Sequence, residues 1–525
     1  MLKFLNLEYP CNCGKYLFAF ALVVLCYSVT QAQTDQPTFA YSVSITHPET
    51  HSYHVELNTS GWDMDTIQLQ LPNWMPGYYQ FMNYYNDLSG MTAKNDAGEE
   101  MNLEQINPYT WQVIGVKNQS FSLSYDIQTS KQFVANSYVD EAHAYLIPTN
   151  SFLYAQDYIN TPVTVKILKN SNWKDIATGL ELIDGAAHVY AASDFDVLFD
   201  SPILIGNLKE LPAFHVKGIP HRFIGYKMGS FDEKSFMKNL EAVISSAVDV
   251  IGDIPFSEYT FIGIGPGRGG IEHLNNTTVS FDGSQLATPD GMSRMMSFLA
   301  HEYFHHYNAK RIRPVELGPF DYQNGSKTSQ LWISEGLSVY FEYLIVKRAG
   351  VDSEEVFLRN FEQHINTVQN NPGRSYQSLV QSSYNTWNDG PFGGNEGKTI
   401  SYYQKGPIVG LLLDFAIRNA SQNEKTLDHV MQFMYWEYYK KKQRGFTDAE
   451  FQQACENIAG VPLSEIFEYV HTTKELDYQK YLGYGGLELI EDSGTAEKKV
   501  FQLKKLYNTT LLQETILNSW LGDQE

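Results

Sequence analysis

His301-Glu302-Tyr303-Phe304-His305 sets two imidazoles four residues apart, with a carboxylate directly after the first. The run around it, Met292 to Lys310, reads as a helix, and residues four apart on a helix share one face, one turn apart. Both histidines can therefore hold one metal ion. Glu302 can then reach an open coordination position and take a proton from water there, as in a metal-assisted hydrolase. A helix face carrying two satisfied, packed histidines is the plain structural alternative, and a third ligand decides against it.

Thirty residues on, QLWISEGLSVYF over Gln330 to Phe341 is a second helical run, with Glu335 among apolar neighbours. A carboxylate so placed is costly to bury unless it is paired or bound to a metal, so Glu335 is the third ligand expected. Glu342, seven residues further and near the same helix face, is the alternative. It equally suits a partner that holds a histidine in the right tautomer.

HEYFHHYNAKRIRP over His301 to Pro314, followed by LWISEG, resembles the M61 family of glycyl aminopeptidases, which are zinc metallopeptidases. LPNWMPGYY over Leu71 to Tyr79 is similar to that family's LPxWxPGxY segment. Gly269-Gly270-Ile271-Glu272-His273 is similar to its GGxEH loop, and Tyr403-Gln404-Lys405-Gly406 to a YxKG element shared with related aminopeptidases. These motifs fall in the expected order between about residues 40 and 485, and several co-linear motifs carry more weight than one. The resemblance implies one zinc per chain and a thermolysin-like (gluzincin) catalytic domain. In that domain a small sheet puts the Glu272 loop on an edge strand beside the metal helix. It also implies that Tyr403 hydrogen-bonds a tetrahedral oxyanion and that glycine or alanine is removed.

The hydrophobic period changes along the chain. From Thr38 to about Asn207, short alternating runs such as Tyr41 to Ile45, Thr66 to Leu71 and Val163 to Ile167 are separated by Asn, Gly, Pro and Asp turns, the pattern of an antiparallel β domain. Helical patterns follow: Lys234 to Val250, Met292 to Lys310, Thr328 to Ala349, Val356 to Gln369, Ile408 to Asn419, Thr426 to Lys442 and Asp448 to Ala459. The expected fold class is thus α+β multidomain. A signal peptide spans 1–32, an N-terminal β domain 33–210, a mostly helical peptidase domain 211–475, and a short C-terminal segment 476–525. Within that last segment YLGYGGLEL over Tyr481 to Leu489 resembles the lead-in to a PDZ-like domain in relatives. Only 36 residues follow, ending in an amphipathic helix over Leu511 to Leu521, so the PDZ-like module is expected to be absent. Asn370 to Gly397, rich in Asn, Gly, Ser and Pro, reads as a long loop able to wall the cleft.

At 525 residues, 43% hydrophobic and 14% aromatic, the chain has the composition of a globular protein with large cores rather than a disordered one. Its net charge of −22 becomes −23 without the first 32 residues, which repels nucleic acid phosphates and anionic lipid surfaces. The expected partners are peptide substrates. Tyr16 to Val29, an apolar run of fourteen after Lys15 and before Thr30-Gln31-Ala32, reads as a secretory signal cut after Ala32, with an uncleaved anchor as the alternative. A secreted or periplasmic location follows. Cys11, Cys13 and Cys26 lie in that segment, so Cys455 alone would remain in the mature chain.

Gly263 to Gly270 is glycine-rich, but no Lys-Ser or Lys-Thr follows and Pro266 removes one amide donor, so a phosphate cradle is not expected. A glycine run feeding Glu272 suits backbone that a peptide approaches closely, adding as an edge strand on Gly269 and Gly270, with Glu272 meeting the substrate amine. His306 faces away from the metal side, and Lys405 and Arg311 read as structural charges. The expected activity is that of a zinc aminopeptidase with Glu302 as general base. A zinc endopeptidase or oligopeptidase shares every metal residue, and a catalytically silent peptide-binding scaffold is the third reading.

Overall fold

Strict alternation in Ser52–Thr59 and Phe121–Gln128 buries Val55, Leu57, Leu123 and Tyr125 on one side of a twisted sheet and leaves polar residues on the other. These two strands are neighbours in a seven-stranded sheet whose pairings are antiparallel, except that Phe39–Ser44 runs parallel to Val163–Leu168. A three-stranded and a four-stranded sheet complete the β region. The computed structural model describes residues 36–129, 131–394, 397–492 and 498–522. The expected signal segment, with its three cysteines, lies outside the described residues. No helix among the described residues is long and apolar enough to cross a membrane.

The second region is built on a six-stranded sheet. Ile219–Tyr226, Tyr259–Ile264 and Asn276–Ser280 run parallel at its centre, and every residue of Tyr259–Ile264 is buried. Such a run is expected where both faces are covered. On one face, Phe223 and Phe261 pack toward Phe236 of helix Glu233–Ile251 and Tyr303 of helix Pro289–Phe304. On the other, Ile224, Ile262, Ile264 and Ile271 meet Met75, Val134, Tyr145, Ile147 and Leu204 from the β region. Gly270–Glu272 lies at the sheet's edge, paired antiparallel with Asn276–Ser280 alone. The rest of this region is mostly helical.

Three expectations about elements need correction. The helix bearing the pentad spans Pro289–Phe304 and stops six residues before Lys310. Ala309 takes φ 143°, which no helix allows, and the turn directs Lys310 and Arg311 into the interior. The run expected as one helix over Thr328 to Ala349 begins as a π-helical turn, Trp332–Gly336, before the α-helix Leu337–Arg348. The stretch Asn370 to Gly397 is not one loop, since Leu379–Asp389 is a helix closed by a Ser378/Gln381 capping box. Its buried face includes Ser382, Ser383 and Thr386, and so little apolar signal marks it.

The C-terminal residues form a hairpin, Leu487–Asp492 with Val500–Lys505, and helix Leu511–Leu521. That helix inserts Trp520 among Phe357, Phe361 and Phe415, and the indole N–H donates to Tyr340 Oη at 3.0 Å. Trp520→Ala is expected to remove about 3–5 kcal/mol of stability, the scale of a large aromatic lost from a core. The denaturant midpoint measures it; an unchanged midpoint would mean the helix is not docked in solution.

Candidate metal and substrate site

His301 projects from the last turn of helix Pro289–Phe304 and His305 caps its C-terminus, with their Nε2 atoms 2.9 Å apart. Glu335 Oε2 lies 3.1 Å from His305 Nε2 and 3.6 Å from His301 Nε2. Among the described residues, this is the group of three whose ligand atoms converge, all within 4.8 Å of one another and all buried. Two imidazole nitrogens facing each other cannot both donate, and ligand atoms about 2.0–2.1 Å from a tetrahedral ion lie about 3.3 Å apart, so the set fits zinc. The π-helical turn brings Glu335 there. Gly336 packs on Gly406 so closely that a Cβ on either would come within 2.7 Å of the other's Cα.

The far nitrogens of both imidazoles are fixed. His301 Nδ1 lies 2.8 Å from Glu342 Oε2, and His305 Nδ1 lies 2.8 Å from Asn308 O. Donation from His305 Nδ1 leaves its Nε2 a lone pair directed inward, and the Glu342 carboxylate beside His301 Nδ1 favours a proton on that nitrogen too, the arrangement a histidine ligand needs. Of the two roles open to Glu342, the structure gives it the partner's one. Asn308 Nδ2 also donates to Ile333 O, Ser334 O and Ser338 Oγ, tying the chain after the pentad to the turn bearing Glu335.

Burial opposes ionisation of Glu335, but His305 and His301 together hold it well below the usual carboxylate range. Burial pushes Glu302 up to about 7 against the pull of His301. A divalent cation on the three ligands would draw it down again. The Glu302 carboxylate rests against the edge strand, where a Cβ on Gly270 would fall 2.5 Å from Oε1. Glycine is required at 270 for that approach, and Gly269, with φ +90°, needs glycine for its backbone.

Glu272 is buried at the other end of the same strand, 5% exposed. Its oxygens lie 3.0 Å from where a Cβ on Gly77 would stand, so the LPNWMPGYY segment closes over it. Lys310 Nζ lies 4.0 Å from Glu272 Oε1 and 2.8 Å from Asp200 Oδ1. Asp200 also bonds His273 Nδ1 and accepts from the Leu274 amide. Asp200 thus has Lys310 and His273 as close partners, whereas Glu272 meets the same ammonium only at 4.0 Å and can take a further cation. Burial resists the charges, yet Asp200 holds Lys310 above, and Lys310 and His273 hold Asp200 below, their ordinary values.

Tyr403 stands at the start of helix Tyr402–Ala420, its hydroxyl donating to Glu335 Oε2 at 2.8 Å. Tyr79 Oη donates to Glu335 Oε1 at 3.4 Å. His306 is buried against Phe256, Tyr303 and Tyr307, away from the metal ligands. Arg311 donates to the carbonyls of Leu274 and His306, and Lys405 to that of Tyr469, with burial pushing Lys405 down to about 8. Asp200, Asn308 and Gly77 escaped the sequence reading. Gly77 at least sits inside a quoted motif, whereas Asp200 has no local signal.

The family model for the peptidase M61 N-terminal domain matches residues 40–207, and that for M61 glycyl aminopeptidase matches residues 294–409, together more than half of the chain. No curated protein sequence matches. The crystal structure of an aminopeptidase N family protein from Idiomarina loihiensis aligns with TM-score 0.81 at 25% identity, over 86% of this chain and 79% of that one. An M1 zinc metallopeptidase from Deinococcus radiodurans aligns with TM-score 0.51 at 14% identity, over 84% and 94%. Aminopeptidase A of Legionella pneumophila, in complex with aspartic acid, aligns with TM-score 0.50 at 13% identity, over 89% and 55%. At those identities the last two share the fold.

His301→Ala and Glu335→Ala are each expected to abolish tight metal binding, since two protein ligands remain. Glu342→Gln should retain the metal but weaken it by about 10–100-fold, the usual cost of an altered outer partner. Metal analysis with chelator competition measures both, and wild-type affinity in Glu342→Gln would refute the role given to Glu342.

Proposed function

The chain belongs to the M61 peptidase family and is a metallopeptidase, and from that premise we propose that it is an aminopeptidase with one zinc per chain. It removes small N-terminal residues, glycine or alanine, from peptides. The observation that carries this reading is the buried cluster at the end of the edge strand, where Glu272 and Asp200 face one ammonium, Lys310. A buried carboxylate with no cation closer than 4.0 Å favours a free α-ammonium and disfavours the uncharged backbone of an internal peptide bond.

Zinc held by His301, His305 and Glu335 would polarise the scissile carbonyl and render water nucleophilic at neutral pH. The peptide adds to the open edge of Gly270–Glu272 as a further strand, its backbone hydrogen-bonded there and its ammonium on Glu272. Glu302, against Gly270, is then beside the scissile bond. It accepts a proton from the attacking water and delivers it to the leaving amine. Tyr403 turns its hydroxyl from Glu335 to the oxyanion of the tetrahedral intermediate. Gly77 over Glu272 and the two tyrosines on Glu335 crowd the amine end, which supports a preference for small side chains. The apolar run before Ala32 supports action outside the cytoplasm.

Glu302→Gln keeps shape but cannot accept a proton. Zinc should stay bound while turnover falls at least about a hundredfold. Near-normal turnover would place the base elsewhere.

Glu272→Gln should leave zinc content unchanged and lower kcat/KM for alanyl and glycyl substrates by two to three orders of magnitude, about 3–4 kcal/mol. Wild-type protein should ignore the N-acetylated forms. Equal cleavage of free and acetylated substrates would favour the endopeptidase reading instead.

A further inference from the structure

A cavity of about 480 Å³ opens where the glycine-rich segment meets the β region, lined by Phe133, Tyr138, Tyr145, Ile264, Gly267 and Arg268. Its walls are largely aromatic and aliphatic, and Arg268 is exposed. No ion pair among the described residues engages its guanidinium. The cavity adjoins the edge strand directly: Gly267 and Arg268 precede Gly269 and Gly270 in the chain, and a Cβ on Gly269 would lie 3.5 Å from Val134 Cγ2 in the facing wall. Phe133 stacks edge-on with Tyr78, one residue beyond the Gly77 that covers Glu272.

Direction along the strand decides what occupies it. Glu272 is at one end, and two residues back Gly270 abuts Glu302. On the aminopeptidase reading, on which this step rests, a peptide anchored by its ammonium at Glu272 has its scissile bond beside Gly270 and leaves along Gly269, Arg268 and Gly267. An extended chain advances about 3.3 Å per residue, so two residues beyond the scissile bond end within reach of Arg268. The geometry points to a leaving-side subsite specific for short peptides. The cavity takes an aromatic or large aliphatic side chain, and Arg268 takes the terminal carboxylate. A planar guanidinium matches a carboxylate in charge and in its paired acceptors, whereas a terminal amide offers neither. Tripeptides of the form small-x-aromatic are the substrates that fill both ends.

The test compares Ala-Ala-Phe, its C-terminal amide, Ala-Ala-Ala and alanine 4-nitroanilide on the zinc-loaded full chain. Wild-type kcat/KM should favour Ala-Ala-Phe over its amide by about five- to tenfold, with the ratio shrinking at high salt because Arg268 is exposed. Arg268→Gln should bring the ratio to about one. Phe133→Ala should reduce the preference for Ala-Ala-Phe over Ala-Ala-Ala several-fold, through the lost ring contact. Both readouts are ratios within one preparation, so a partly inactive variant does not disturb them. Cleavage of alanine 4-nitroanilide with equal rates on acid and amide, or a ratio that survives Arg268→Gln, overturns the subsite while leaving the aminopeptidase reading intact. Failure to cleave any free-amine substrate overturns both.

Discussion

Gly336 and Gly406 allow the helix bearing Glu335 and the helix bearing Tyr403 to touch backbone to backbone, and the geometry of the site depends on that approach. A methyl group on either would have to displace main chain, which cannot yield as a flexible side chain does. With it, the π-helical turn points Glu335 between two imidazoles, and Tyr403 reaches the same carboxylate. π-Helical turns are uncommon and cluster at functional positions, because they rotate a side chain off the regular helical face. Here the rotation directs a carboxylate inward to the histidines. Asn308 fixes the opposite side, its amide nitrogen bridging the carbonyls of that turn while its own carbonyl meets His305.

The surroundings of Glu272 rest on a different contact, between the β region and the edge strand. Asp200 and Gly77 come from the β region, and both reach residues 272–274. Lys310 reaches the same place because the chain leaves the helical path after Phe304. The residues that end the helix and those that balance Glu272 are thus one feature. Isolated buried charges are costly, and each here has a partner of opposite sign or a hydrogen bond. The β region therefore takes part in building the buried cluster around Glu272 as well as covering the sheet.

The pentad, Glu335, the edge-strand glycines and the division into a β region and a mostly helical one were legible in the sequence. Each depends on local periodicity or on residues within a few positions of one another. Where sequence reading failed, the cause was also local. The buried face of Leu379–Asp389 carries hydroxyl side chains that look like loop composition, and the helix after the pentad continued on paper because Tyr307 to Lys310 contains no proline or glycine. The helix nevertheless ends at Phe304 and Ala309 turns the chain inward, where Asn308 Nδ2 and the Asn308 carbonyl meet partners that come together only in the folded chain.

By itself, then, the sequence determined which groups are available: two histidines and a glutamate able to hold a metal, a second carboxylate beside them, and a glycine-lined edge strand. Tertiary structure decided how those groups are oriented and balanced. It assigned Glu342 to His301 and brought Asp200 from about seventy residues before Glu272 to share Lys310 with it. It also set the cavity at Gly267 and Arg268 against aromatic residues of the β region. The physical reason is range. Helical spacing and glycine requirements act over a few residues, whereas charge balance, hydrogen-bond satisfaction and close packing are settled between segments that meet only in the folded chain.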